Sequence, residues 1–217
     1  MEGLKMENIK LINAENVENI ELIGALKELE IIEDIEDIQE IDAKNNMIIL
    51  DNNQEYLYFI NYEDAEATAV QYCVDIIQDC GVSENLLNIA INHNMVDLSW
   101  FMDAATEYAE NYAYNESIEY LADAEELEQI DAGIVSEDEL REKYYNSILP
   151  SNAEGAFDEF IYQFGRDYTI EIIKKYDLLN YEELAQYCVD VDGVGHFLSS
   201  YDGEELEYNN YYLYRVN

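Results

Sequence analysis

Residues 45–140, a run of 96, contain no lysine and no arginine but 22 aspartates and glutamates. Over the whole chain 50 acids stand against 10 bases, a formal net charge of −40 in 217 residues. Repulsion on that scale works against any compact state, so only a chain with a substantial apolar interior can fold while carrying it. This chain has one to build: 49% of its residues are hydrophobic, and 20 Tyr and 6 Phe are spread along its length. Disordered acidic segments lack such side chains and cannot offset the entropy of ordering. The charge therefore has to lie on the outside of a folded body.

Other features narrow the class. One proline and nine glycines are too few turn formers for a sandwich or barrel. The cysteines Cys73, Cys80 and Cys188 have no framework spacing and read as free thiols in a reducing compartment. Residues 1–7 lack the basic-then-apolar order of a signal peptide. No apolar run approaches the roughly 18 residues of a membrane span, so a cytoplasmic location is expected. Asn and Ile are abundant, as in AT-rich genomes, yet lysine, whose codons are also A-rich, occurs only seven times. The lysine deficit reads as selected.

Periodicity predicts a mainly helical α+β protein, elongated, in three parts: an α+β unit over 1–62, an acidic helical region over 63–149 and an α+β unit over 150–217. In 15–42, Leu22, Ala25, Leu26, Leu29, Ile31, Ile35, Ile38 and Ile41 recur at three and four, an apolar helical stripe. Residues 47–50 and 56–60 read as a hairpin around a polar turn. Helices follow over about 64–79, stopped by Gly81, then from Ser83, from Asp97, from Asn115 with Ile118, Leu121 and Leu127 inward, and from the capping box at Ser136. Three more helices precede a closing hairpin at Asn209-Asn210. The pentapeptide Gln-Tyr-Cys-Val-Asp occurs at 71–75 and again at 186–190, a hint of internal duplication.

The acidic helices are the candidate functional surface. Asp103, Glu107 and Glu110 fall at i, i+4, i+7; Glu116, Glu119, Asp123 and Glu126 fall at i, i+3, i+7, i+10. Each series predicts a row of carboxylates with neighbours about 5–6 Å apart. Asp97 opens this surface, and Glu33, Asp34, Asp37 and Asp64 extend it. Duplex DNA carries one charge per ~1.7 Å of axis, so 40 net charges match about 68 Å of duplex. A cationic DNA-binding channel is the expected partner, and nucleic acid itself is excluded by like charge. Tyr108, Tyr112 and Tyr120 are candidates for rigid contact area, since tyrosine gives large area at low entropy cost. An ordinary solvated helix face is the plainer account of any one such row, but not of several successive helices without lysines.

Other chemistry finds little footing. Neither Asp190 nor Asp51 begins a calcium loop, because the glycine and the closing glutamate are misplaced. His93 and His196 belong to no zinc pattern. No nucleophile elbow, P-loop or dinucleotide fingerprint occurs, so neither an enzyme nor a cofactor is expected. Two alternatives stay open: an acidic interaction protein or chaperone for basic proteins, and a carboxylate-based hydrolase.

Phe164-Gly165-Arg166-Asp167, at the end of an aromatic and acidic stretch, resembles an element of ArdA-type antirestriction proteins. Those proteins carry Tyr-Gly-Arg-Asp there, followed by a short β segment. Residues 118–127 are similar in character to the acidic helix that precedes it. The resemblance covers about a quarter of the chain, which continues about fifty residues past Asp167. It implies an acidic mimic of B-form DNA, often dimeric, carried by phages or mobile elements and directed at type I restriction-modification enzymes. A CRISPR effector holds nucleic acid in a similarly basic channel. The plainer account of Gly165-Arg166-Asp167 is a helix end followed by a new helix start.

Overall fold

The computed structural model describes residues 17–217, so the expectations for residues 1–7 and for the first two residues of the 15–42 stripe lie outside the described residues. The protein is mainly helical α+β. The chain forms two compact units, one from residues 1–82 with 181–217 and the other from 83–180. These boundaries differ from the expected ones at 62/63 and 149/150. The reason is the sheet: the last strand pairs with an early one, so the two ends of the chain share a unit.

The first unit begins with helix α1 (Val17–Glu28), which is followed by a 3-10 turn at Ile35–Asp37 and strand β1 (Ile38–Asp42). The helical stripe expected over 15–42 is thus only half helix. At its end Glu30 takes a left-handed φ of 56°. Its N–H donates to Lys27 O, and that of Ile31 to Leu26 O, a Schellman ending that closes the last carbonyls. The later spacing of three has another cause. A bulge between Ile38 and Glu40 places Ile38 opposite Leu50 and Ile41 opposite Ile48, so an extra residue makes strand positions three apart share a face.

Strands β2 (Met47–Leu50) and β3 (Glu55–Phe59) form the expected hairpin, with Asn53 left-handed in the turn. The antiparallel sheet closes with β4 (Leu206–Tyr208) and β5 (Tyr211–Arg215), in the order β1-β2-β3-β5-β4. Asn209 and Asn210, at φ 48° and 70°, supply the two positive angles that a tight hairpin needs. One sheet face presents Ile48, Leu50, Tyr56, Tyr58, Tyr211 and Leu213 to Leu22, Ala25 and Leu26 of α1. Burying each leucine or isoleucine contributes about 1.5–3 kcal/mol. The opposite parity carries Phe59 and Tyr214, both buried, with ring centroids 5.9 Å apart.

Helix α2 (Tyr62–Cys80) starts at Asn61, whose side chain accepts from Asp64 N, and ends at Gly81, at φ 78°. Its buried stripe is Ala65, Ala69, Cys73, Val74 and Ile77, and it packs against α10 (Tyr181–Asp192). The repeated pentapeptide lies on this pair. In each copy the glutamine donates to the aspartate four residues on, Gln71 to Asp75 and Gln186 to Asp190. Burial and the neighbouring Cys188 push the Cys73 thiol up to about 12, which suits an inert core residue. A short helix, α11 (Val194–Leu198), follows; Gly195 has no room for a Cβ, which would lie 2.6 Å from Gly203 O.

The second unit contains α3 (Glu84–Asn92), α4 (Leu98–Glu110), a π-helical turn (Asn111–Asn115), α5 (Ile118–Leu121), α6 (Ala124–Asp131), α7 (Glu137–Ile148), α8 (Ala153–Phe164) and α9 (Arg166–Tyr176). Ser83 and Ser136 cap α3 and α7 as expected. Asn115 does not start a helix: it ends the π turn, and Ser117 and Asp123 precede two short helices instead. Leu121 is buried there, while Ile118 and Leu127 are half-buried. The core is aromatic. Phe101 and Phe157 meet at 4.7 Å, Phe101 and Phe160 at 5.2 Å, and Trp100 stands against Phe160 and Tyr176.

Candidate anionic interface

Helix α4 is the clearest carrier of a charged row. Asp97 starts it by accepting from Ser99 N. Phe101 and Ala109 anchor one face in the core, so Asp103, Glu107 and Glu110 are left exposed on the other. From Asp103 to Glu110 the helix rises about 10.5 Å, one carboxylate per ~5 Å against one phosphate per ~3.4 Å of a single DNA strand. Among the described residues, no base and no hydrogen-bond donor meets these carboxylates.

The second expected row does not form. Glu116 follows the π turn in extended geometry, Glu119 lies on α5, and Ala122 at ψ 142° turns the chain before α6. Asp123 and Glu126 are a capping box: Asp123 accepts from Glu126 N at 2.9 Å, and Glu126 accepts from Asp123 N at 3.1 Å. Glu126 also accepts from Lys143 Nζ at 2.6 Å and from the Tyr144 hydroxyl. Its side chain is only 15% exposed. These contacts, the Lys143 bond first, hold its carboxyl down at about 2, and the same pairing pushes Tyr144 up to about 12. Glu126 is a structural residue, which corrects its place on the expected surface. Glu116 and Glu119 are exposed, but on separate segments.

The acids expected to extend the surface, Glu33, Asp34, Asp37 and Asp64, belong to the first unit. Asp37 accepts from Glu33 N at 2.8 Å and Asp34 N at 2.9 Å. The bond from Asp34 N is the main reason its carboxyl sits below the ordinary range. Asp34 pairs with Lys27 at 3.4 Å. Asp64, in the first turn of α2, accepts from Asn61 Nδ2, where a carboxylate also suits the helix dipole. Three of these four therefore hold local structure, and Glu33 is exposed.

The three arginines are half-buried and engaged by the fold, while the described lysines are exposed. Arg141, its side chain 13% exposed, pairs with Glu137 at 2.8 Å and donates to Ala113 O and Glu116 O, closing the carbonyls at the π turn. Arg166 donates to Asn88 O, Asn88 Oδ1 and Asn92 Oδ1 at the C-terminal end of α3. Arg215 lies over the Tyr201 ring at 3.6 Å and donates to Asn217 O. Sequence reading missed these roles, although an arginine isolated in an acidic tract is a signal for one.

Arg166 belongs to the Phe164-Gly165-Arg166-Asp167 element. Gly165, at φ 83°, ends α8 and opens α9, and the chain past Asp167 continues as helix to Tyr176 rather than as a β segment. Phe164 is 54% exposed, and Asp167 is exposed in the first turn of α9. Of the candidate tyrosines, Tyr108 and Tyr120 are 55% and 72% exposed, while Tyr112 is half-buried and stacks on Tyr108 at 6.4 Å.

Among the described residues, no group of three or more His, Cys, Asp or Glu side chains converges as a metal cage would. No helix there is long and apolar enough to cross a membrane. Compared against family models, curated proteins and solved structures, the chain matches none of them.

Proposed function

We propose that this protein inhibits a DNA-binding defence nuclease by presenting an anionic surface that takes the place of duplex DNA in the enzyme's basic channel. The observation that carries this reading is the α4 row. Asp103, Glu107 and Glu110 stand exposed on one helix with no compensating base, while Arg141 and Arg166 are engaged internally. Like charges three and four apart cost a helix about 0.2–0.5 kcal/mol per pair, and a cationic partner would repay that cost on binding. Restriction-modification and CRISPR effector enzymes both hold DNA in such a channel, and a dimer would present the row twice.

Binding of this kind should be fast and strongly salt-dependent, because displaced counterions drive it. The test is cleavage of duplex DNA by a type I restriction enzyme and by a CRISPR effector, with the protein titrated in. Inhibition that competitor duplex relieves, and that weakens steeply between about 50 and 200 mM salt, is the expected result. Binding to basic proteins at large, undisturbed by DNA, would instead identify a chaperone and end the mimic proposal.

A further inference from the structure

An open groove of about 860 Å³ runs between α4 and α8 in the second unit, and most of its lining residues are apolar. Helix α4 contributes Phe101, Ala105 and Tyr108, and α8 contributes Ala156, Phe160 and Phe164; Leu149 and Pro150 lie along it from the loop between α7 and α8. None of the lining residues is basic, and Glu159 stands in the wall. Glu107, exposed, precedes Tyr108 on the same helix. Tyr108 and Phe164 remain more than half exposed, an arrangement a soluble surface normally covers.

We infer that this groove docks an amphipathic helical segment of the cationic partner, with apolar anchors inserted between α4 and α8 beside Glu159 and lysines or arginines flanking them. Two observations select that occupant. The wall from Gly155 to Phe164 rises about 13.5 Å, enough for anchors at i, i+3, i+4 and i+7 of a docked helix. Glu159 is the one charged residue in the lining and the chain as a whole carries −40, so a segment with cationic flanks is attracted and an acidic one is repelled. The inference deepens the mimic proposal: the protein's negative charge brings the partner in, and the groove retains it by contacts that salt does not screen.

The probe is a synthetic peptide of leucine and lysine with leucines at helical spacing, beside a scrambled peptide of the same composition. Trp100, the one tryptophan of the chain, stands edge-on to Phe160 of the groove wall at 6.1 Å, so its fluorescence reports occupancy. The patterned peptide should bind and shift Trp100 emission at low salt and in molar salt alike, and the scrambled one should be lost in molar salt. Phe164→Ser, at a half-exposed site, should weaken the molar-salt binding at least tenfold, and Tyr108→Ser should do the same if the first variant misfolds. Asp103→Asn with Glu107→Gln and Glu110→Gln should weaken only the low-salt binding.

Equal behaviour of the two peptides overturns the inference, as does unchanged molar-salt binding in both groove variants. So does a solution dimer that Phe164→Ser converts to monomer, since the groove would then belong to a second copy. Competition by duplex DNA plays no part in these measurements. A failed DNA competition with intact peptide docking would therefore sink the mimic alone.

Discussion

Asp103–Glu110 and Glu116–Glu126 have nearly the same acid spacing in sequence and opposite fates in the fold. The first lies on one uninterrupted helix, so its carboxylates line up and stay exposed. The second crosses a π turn, a four-residue helix and a capping box, so its acids are scattered and two of them are absorbed into helix α6's start. A spacing of three and four makes a row only where the backbone remains helical throughout. Where the chain turns, the same carboxylates become caps, because an exposed N-terminal N–H is the nearest donor.

The strongest way to break this contrast is through Arg141. Its guanidinium joins Ala113 O, Glu116 O and Glu137 from a mostly buried position. Arg141→Ala should destabilise the second unit by about 2–4 kcal/mol, through stranded carbonyls and a lost ion pair. Urea denaturation reads the loss, and hydrogen exchange should localise it to residues 111–126. Arg141→Lys should recover little, since a point charge cannot reproduce the planar fork. The α4 row should keep its partner binding in whatever fraction remains folded.

Arg166 comes next. Removing its bonds to Asn88 and Asn92 with Arg166→Met should cost about 1.5–3 kcal/mol, the range for hydrogen bonds to a charged group. If Phe164-Gly165-Arg166-Asp167 is a structural joint, inhibition per folded molecule is unchanged. A larger loss of inhibition than of folded protein would make Arg166 a recognition residue and support the ArdA resemblance at this element.

The capping box separates the two series by pH. Because Glu126 is held at about 2 in the folded protein against 4.5 ordinarily, its contribution is complete above about pH 4.5. It disappears as pH falls toward 2. Glu126→Gln should lose stability at neutral pH and narrow its gap to the parent protein across that acid window. A constant gap between the two at every pH would mean that charge on Glu126 is immaterial.

Legibility in the sequence tracks how local each interaction is. The hairpins, the caps at Ser83 and Ser136, and the stop at Gly81 depend on neighbours within a few residues, and the sequence displays them. The bulge at Ile38–Glu40 does not announce itself, because a strand with one extra residue carries the spacing of a helix. The shared sheet is invisible for another reason: β3 meets β5 across some 150 residues of chain. In the candidate surface, α4 could be read from period alone. Glu126 could not, since its partners Lys143 and Tyr144 arrive from the next helix, and neither could the groove, which needs two helix faces at once.

The smallest stability effect carries the most functional information. Asp103→Asn, Glu107→Gln and Glu110→Gln together remove two like-charge neighbours on α4, so the variant should be more stable by roughly 0.4–1 kcal/mol. The same change at Glu116 and Glu119, on separate segments, should leave the urea midpoint where it was. Partner association should move the other way, slowing at low salt and losing part of its salt dependence, because fewer counterions are released. A mutation that improves the fold while weakening the function is the mark of a surface held against its own repulsion. If the triple variant were both more stable and equally inhibitory, the row would be a solvated helix face and the reading built on it would fall.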